Sequence, residues 1–160
     1  ISLFPQMHFD MVRIGIGLYG IDGNPKINCL LEPAHQLKTF ISQIRDYPAG
    51  TTIGYSRRGV LSRDSRIATI GIGYGDGLLR HAGNGNFSVL VKGKKAPTIG
   101  SICMDMCMID VTDIKCNEGD EVLIFGKEHP IAELAKTIGT IPYEVLTSVS
   151  RRVKRVYFQE

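Results

Sequence analysis

The chain has 160 residues, 43% of them hydrophobic and 22% charged, with 18 glycines and a formal net charge of +3. This length predicts one domain with a substantial core, and the glycine content favours turns and short strands over long helices. The small net charge argues against a dedicated nucleic-acid binder, no apolar stretch approaches the roughly 20 residues of a membrane span, and no signal segment opens the sequence.

The first 33 residues predict irregular structure around one short strand. Apolar and other residues alternate after Arg13, but glycines at 15, 17 and 20 limit that strand and predict that it runs into a turn. Gly-Asn-Pro at 23–25 breaks the chain, and Glu-Pro at 32–33 marks the end of a linker.

From Leu37 onward, short apolar runs alternate with turn signals. The predicted strands comprise residues 37–44, 60–61, 67–72, 87–91, 96–99, 102–111 and 121–125, with 102–111 the longest. The predicted turns lie at 47–50, at the tight hairpin signal Asn84-Gly85, at 92–94 and at 117–120. Several short strands at close spacing indicate a β-barrel or a β-sandwich.

Two short helices follow the strands. Pro130 lies at a first-turn position and opens a helix over residues 131–138, which ends at Gly139, a natural C-cap. A second helix is predicted over residues 142–150, and residues 155–158 are predicted to return as a last strand.

The four cysteines are Cys29, Cys103, Cys107 and Cys116. Cys103 and Cys107 lack the Cys-x-x-Cys spacing, and no histidine lies at ligand distance along the sequence, so no metal site is expected. We interpret all four as buried free thiols in a reducing cytoplasm, where an unpaired cysteine behaves as a small hydrophobic residue.

Five motifs carry the functional signal. In chain order they are the glycine-rich run 11–20, Gly-Tyr at 54–55, Gly-Tyr-Gly-Asp-Gly at 73–77, Ile-Cys-Met-Asp at 102–105 and Tyr-Glu-Val at 143–145. Together they resemble bacterial alanine racemase over essentially the whole chain. That family joins a (β/α)₈ barrel, which holds pyridoxal 5′-phosphate (PLP), to a mostly β C-terminal domain.

The resemblance implies a mainly β chain. Residues 1–33 would be the end of the PLP-binding barrel with its linker, and residues 34–160 the C-terminal β-barrel domain with two short helices. The family's Schiff-base lysine lies in a Lys-Ala-Asn-Ala-Tyr-Gly motif that this sequence lacks. We therefore expect a fragment that is inactive alone and belongs to a cytoplasmic isomerase supplying D-alanine for peptidoglycan.

Four residues correspond to cofactor-binding positions. Arg13 matches the arginine that faces the pyridine nitrogen of PLP; because it stays protonated, it can only donate there and weakens the electron sink of the ring. Gly15 and Ile16 match backbone donors to the phosphate, and Tyr143 matches the tyrosine that reaches the same phosphate.

Tyr55 matches the second catalytic base of the family. Racemisation removes a proton from one face of the α-carbon and delivers one to the other face. In a head-to-tail homodimer, the lysine of one subunit and the tyrosine of its partner therefore flank the cofactor. A free phenol titrates near ~10 and needs nearby positive charge to act as a base, for which Arg57, Arg58 and Arg80 are candidates.

Tyr74 and Met104 match residues that line the substrate entrance and pocket, a narrow space suited to alanine. On a continuous strand, Met104, Met106 and Met108 would share one face. We interpret the last two as core residues and assign only Met104 to the pocket.

Two positions depart from the family pattern. Ser56 follows Tyr55 where the family usually has glycine, which leaves the loop around the base less certain. Ser101 precedes the Ile-Cys-Met-Asp run where an arginine is common, so a cation of the substrate corridor is expected to be absent.

Two alternatives remain open. A related PLP-dependent amino-acid decarboxylase has a similar architecture, but Arg13 argues against it because decarboxylation favours a protonated pyridine with an acidic partner. A β-barrel interaction module could bind nucleic acid through Lys92, Lys94, Lys95 and the basic run 151–155, although a solvated charged face is the simpler interpretation.

Overall fold

The computed structural model describes residues 3–158 and divides into two compact units, Ile1–Gln36 and Leu37–Glu160. Within the first unit, two 3₁₀ helices, Pro5–Met7 and Gly15–Tyr19, precede a short α-helix, α1 (Pro25–Asn28). No helix among residues 3–158 has the length and apolar character of a membrane-spanning segment.

The strand predicted after Arg13 is wrong. Residues from Gly15 form a 3₁₀ turn instead, which ends at Gly20 in the left-handed conformation with φ of 75°. A β-carbon on Gly20 would lie 1.8 Å from the carbonyl oxygen of Glu32, so only glycine fits there. The predicted break at 23–25 is the start of α1, because Asn24 accepts a hydrogen bond from the Lys26 amide at 3.0 Å and proline follows as the first helical residue.

The second unit has eight strands: β1 (Leu37–Tyr47), β2 (Thr52–Ile53), β3 (Gly59–Val60), β4 (Ser65–Ile70), β5 (Ser88–Val91), β6 (Lys94–Ile99), β7 (Cys107–Asp110) and β8 (Glu121–Phe125). Six of them form a closed antiparallel barrel with strand order β1-β4-β7-β6-β5-β8. A separate two-stranded sheet pairs β2 with β3. The barrel prediction is confirmed.

The barrel closes through β1, the longest of the described strands. Its first residues pair with β8, its later residues pair with β4, and the register shifts between Ile41 and Gln43. A bulge of this kind bends a strand and increases its twist, so one strand can belong to both halves of the sheet. Alternating side chains fill the interior, and the fully buried ones include Ile41, Ile70, Val89, Val91, Ile109, Val122 and Ile124.

Two turn predictions had opposite outcomes. Lys92 and Gly93 have φ of 51° and 74° and form the turn predicted at 92–94, which joins β5 to β6 as a tight hairpin. Asn84 and Gly85 also have positive φ, but the preceding strand ended at Ile70, so they turn a loop and form no hairpin. The prediction gave the correct backbone conformation for Asn84 and Gly85, but no strand ends directly before them to complete a hairpin.

The long strand predicted over residues 102–111 is wrong. Only Cys107–Asp110 forms β7, because the Cys103 amide donates to the Met106 carbonyl at 2.9 Å and closes a turn. The alternation of faces assumed for Met104 therefore does not apply. Met106 is exposed, which contradicts its assignment to the core, whereas Met108 is half-buried and packs against a buried cluster.

Helices α2 (Ile131–Ile138) and α3 (Pro142–Ser148) follow the barrel. Gly139 ends α2 in the left-handed conformation, with its amide bonded to helix carbonyls, as predicted. The last strand expected over 155–158 is wrong. The Arg155 guanidinium donates to the carbonyls of Val149, Ser150 and Val153, which holds Arg155 against the preceding turn instead of in a strand.

The cysteines are all free thiols, but two are not buried as expected. Cys107 and Cys116 are buried, whereas Cys29 is exposed and Cys103 is half-buried. Cys29 lies at the end of the short helix α1, which has no buried residue and therefore offers no core for the thiol.

Candidate active site

Three loops gather at one end of the barrel. Antiparallel pairing of Ile70 with Cys107 and of Ile99 with Met108 brings the ends of β4 and β6 and the start of β7 together. We call the three segments there the loop end; they are residues 54–58, 71–77 and 100–106. Three sequence-predicted site residues lie in these segments, one in each: Tyr55, Tyr74 and Met104.

Tyr55 projects from a short 3₁₀ turn, Tyr55–Arg57, and its side chain is 72% exposed. A buried Tyr55 would have contradicted the predicted role, because the hydroxyl must reach another molecule. Ser56 has φ of 58° and ψ of 19°, in the left-handed region that favours glycine. Ser56 therefore occupies, at the cost of strain, a conformation for which glycine is the favoured residue.

The Tyr55 turn rests on the backbone of Gly100. A β-carbon on Gly100 would lie 2.5 Å from the Ile53 carbonyl oxygen, and one on Gly59 would lie 2.7 Å from the Gly100 amide nitrogen. Such distances allow no side chain at either position. The two glycines therefore let the segments before and after Tyr55 pack directly against the start of the third loop.

Tyr74 and Met104 are held together by backbone hydrogen bonds between their loops. The Tyr74 amide donates to the Cys103 carbonyl at 3.0 Å, and the Gly75 amide donates to the Met104 carbonyl at 2.9 Å. Their side chains remain 40% and 53% exposed. The two loops, residues 71–77 and 100–106, thus form one surface, which we call the ledge. The ledge exposes the aromatic ring of Tyr74 and the thioether of Met104 to solvent.

Arg152 fastens this ledge and is a residue that sequence analysis missed. Its Nε lies 2.7 Å from Asp76 Oδ1, and its Nη2 lies 2.7 Å from Asp105 Oδ1 and 3.3 Å from the Met104 carbonyl oxygen. Asp76 uses its other oxygen to accept from the Gly73 amide at 2.9 Å. The signal available in the sequence was the aspartate in the glycine-rich motif, which needed a cationic partner.

The electrostatics of the loop end involve several arginines. Burial raises the pKa of the Cys103 thiol, and the positive charge of Arg80 opposes that rise, which places this cation near the third loop. Arg57 donates from Nε to Thr52 Oγ1 at 3.2 Å. Ser101, where the family often has arginine, is buried, so the position contributes no charge to the surface.

The remaining predicted residues are hydrogen-bond donors. In the first unit, Arg13 is exposed, and Gly15 and Ile16 open the 3₁₀ turn with a φ of 62° at Gly15. In the second unit, Tyr143 is 49% exposed on the first turn of α3. By residue type, a guanidinium suits a basic ring nitrogen, and glycine-turn amides or a phenol suit a phosphate, so the donors of each unit are chemically compatible with PLP.

The basic face considered for nucleic acid is partly neutralised. Lys92 pairs with Asp120 at 2.6 Å, Lys95 pairs with Glu133 at 2.9 Å, and Arg152 pairs with Asp76 at 2.7 Å. Charges already paired with carboxylates contribute less to counterion release at a phosphate backbone. This arrangement weakens the interaction-module alternative.

Comparison with known proteins places these observations in a family. The family model "alanine racemase, C-terminal domain" matches residues 34–157. Alanine racemase 1 of Caldanaerobacter subterraneus is 45% identical over an alignment of 160 positions that covers 96% of this chain and 41% of the relative.

Solved structures agree with the sequence matches. Alanine racemase from the D-cycloserine producer Streptomyces lavendulae superposes with a TM-score of 0.89 at 32% identity, over 98% of this chain and 43% of that one. Alanine racemase from Bartonella henselae with covalently bound pyridoxal phosphate has a TM-score of 0.84 at 36% identity, over 90% of this chain and 40% of that one. The chain therefore spans about two fifths of the length of the proteins it matches.

Proposed function

The chain belongs to the alanine racemase family, and we propose that it supplies the C-terminal part of a PLP-dependent enzyme that interconverts L- and D-alanine. Residues 1–33 would complete the PLP-binding barrel and residues 34–160 would form the β domain. The observation that carries the proposal is the exposed Tyr55 on a turn supported by glycine backbone, beside the ledge of Tyr74 and Met104.

Tyr55 would exchange a proton with the α-carbon of alanine. Racemisation needs an acid–base group on each face of that carbon, and the phenolic oxygen would serve one of them. A turn that holds its Cα in place favours this chemistry, because proton transfer requires heavy atoms within about 3 Å. The exposure of Tyr55 is consistent with a substrate bound to a second subunit.

Arg13, Gly15, Ile16 and Tyr143 would hold the cofactor. When bound, PLP supplies the electron-withdrawing ring that makes the α-hydrogen of the substrate acidic. The guanidinium of Arg13 would donate to the ring nitrogen, because this group carries only hydrogen-bond donors. The two backbone amides and the Tyr143 hydroxyl would donate to the phosphate.

Tyr74 and Met104 would close the substrate pocket around the small side chain of alanine. Bulky groups on fixed loops discriminate against longer side chains chiefly by exclusion. We further propose a homodimer whose sites combine residues of both subunits, a cytoplasmic location and a role in supplying D-alanine for peptidoglycan. The four free cysteines are consistent with a reducing compartment.

The test is a hybrid enzyme in which this chain replaces the matching 41% of the Caldanaerobacter alanine racemase 1 sequence. The hybrid should bind PLP and racemise alanine, measured by the decay of circular dichroism of L-alanine. Tyr55→Phe removes only the hydroxyl and should lower kcat by at least about 100-fold, since a general base contributes roughly that much or more.

Tyr47→Phe offers a matched control, because Tyr47 is the last residue of β1 and pairs with Ser65 at the start of β4, the end of that strand opposite the loop end. It should leave the rate unchanged. A folded hybrid that binds PLP but shows no racemisation would refute the proposed function. An active Tyr55→Phe hybrid would refute the role of this hydroxyl.

A further inference from the structure

We propose that Arg152 is a positioning residue that fixes the width of the substrate pocket by fastening the Tyr74 loop to the Met104 loop. This inference rests on the proposed function, in which these two side chains line the pocket. It adds a third determinant of substrate size, located in the segment that follows α3 and remote in sequence from both loops.

Arg152 uses separate nitrogens for separate loops. Nε bonds Asp76, two residues after Tyr74, whereas Nη2 reaches both the carboxylate of Asp105 and the carbonyl of Met104. A planar guanidinium presents several donors in a rigid arrangement, so its position relative to one loop fixes its position relative to the other. Loss of the side chain would leave the ledge with only its backbone hydrogen bonds.

Gly75 permits this close approach. A β-carbon at Gly75 would lie 2.5 Å from Arg152 Nη2 and 3.1 Å from the Met104 carbonyl oxygen. The guanidinium therefore packs directly over the backbone between Tyr74 and Asp76. This backbone contact, together with the three polar contacts, distinguishes Arg152 from an arginine that merely pairs with a carboxylate at the surface.

The segment that carries Arg152 is itself anchored. The Ser150 amide donates to the Asp76 carbonyl at 3.2 Å, and Ser148 Oγ donates to the Gly77 carbonyl at 3.4 Å. Arg155 then bonds three carbonyls of the same segment, including that of Val149 at 3.0 Å. Because the segment is held at both sides of Arg152, the guanidinium acts as a fixed point for the ledge.

The experiment compares Arg152→Ala, Arg152→Lys and Arg151→Ala in the hybrid enzyme. Arg151 is the matched control: it is exposed, carries the same charge and makes no hydrogen bond or ion pair with any residue of 3–158. KM and kcat are measured for L-alanine and L-serine, and thermal unfolding verifies that all three variants fold.

Arg152→Ala should raise KM for L-alanine about tenfold, change kcat by less than about threefold and reduce the preference for alanine over serine. Arg152→Lys keeps the charge, but one ammonium cannot span both loops, so it should recover little of the loss. Two results would overturn the proposal. The first is an Arg152→Ala hybrid whose KM for L-alanine and preference for alanine over serine stay within twofold of the wild-type hybrid. The second is full recovery of both values in Arg152→Lys.

A second readout separates this inference from the proposed function. Hydrogen exchange on the chain itself should show the Gly73 and Gly75 amides exchanging at least about tenfold faster in Arg152→Ala than in Arg151→Ala. Unchanged exchange would refute the positioning role even in an active hybrid. An inactive wild-type hybrid would refute the proposed function, and exchange would still decide whether Arg152 fixes the ledge.

Discussion

Substitution of Thr98 tests whether the hydrogen bonds of a buried hydroxyl stabilise the structure next to the loop end. Its hydroxyl is buried in β6, with the residue only 2% exposed, and donates to the Ala82 carbonyl at 2.7 Å. The same oxygen accepts from the Gly85 amide at 3.3 Å. The loop that it holds also donates from the Asn84 amide to the Gly100 carbonyl at 2.8 Å, beneath the Tyr55 turn.

Thr98→Val preserves the shape but leaves the buried carbonyl of Ala82 without its donor. An unsatisfied buried acceptor costs about 1–3 kcal/mol, whereas Gly85 is exposed and water replaces its lost partner. We therefore expect a loss of about 2 kcal/mol of unfolding free energy. Thr98→Ser keeps the hydroxyl and loses one methyl group, at a cost of about 1 kcal/mol.

Urea unfolding monitored by circular dichroism measures both variants. With a denaturant dependence of about 2 kcal/mol per molar, Thr98→Val should lower the midpoint by about 1 M and Thr98→Ser by about half as much. The opposite order, with valine at least as stable as wild type and serine less stable, would show that packing rather than hydrogen bonding makes Thr98 important.

Three further outcomes are expected. Gly100→Ala should cost more than about 2 kcal/mol in urea unfolding, because its φ of 70° and the close Ile53 carbonyl exclude a β-carbon; near-wild-type stability would contradict this. Burial raises the pKa of Cys107 to about 12, so iodoacetamide at pH 8 should label exposed Cys29 and spare Cys107 by mass spectrometry. The lysine hydrogen bond holds the pKa of Asp120 below its ordinary 3.8. The stability advantage of wild type over Asp120→Asn should therefore be full at pH 6 and shrink as the pH falls through that lowered value, and an advantage that grows towards pH 2 would reverse the sign of the argument.

Local sequence signals predicted those parts of the fold that depend on local conformation. Lys92 and Gly93 form the expected turn, Gly139 ends α2, and most of the short apolar runs became barrel strands. In each case, the residues that define the conformation lie within a few positions of one another. The β-rich fold class follows from such patterns, the family follows from the resemblance of the five motifs, and both are confirmed.

The errors arose where a distant partner decides the outcome. Asn84-Gly85 has hairpin dihedral angles, but no strand precedes it closely enough to pair. The apolar run from Ile102 is long enough for a strand, yet a turn at Cys103 interrupts it so that Met104 can meet the Gly75 amide. Alternation along a strand carries no information about such a contact.

The candidate site also separates residues that local motifs identify from a residue that only a distant contact identifies. Tyr55, Tyr74 and Met104 were selected from motifs, and their roles remain predictions that the hybrid enzyme will test. Arg152 lies 76 residues from Asp76 in the sequence, within a basic run that suggested only a solvated surface. Only the fold brings the guanidinium to the glycine-rich motif, so no periodicity or spacing could have identified it.

Closure of the barrel determines how copies of this chain can meet. β1 pairs with β8 through Leu37–Phe40 and with β4 through Ile41–Tyr47, so each of the six barrel strands has two hydrogen-bonded neighbours and the barrel has no terminal strand. Among the described strands, only β2 and β3 have a single partner strand, and each is two residues long. Strand addition and edge-to-edge aggregation are thus disfavoured, and association must proceed through side-chain surfaces.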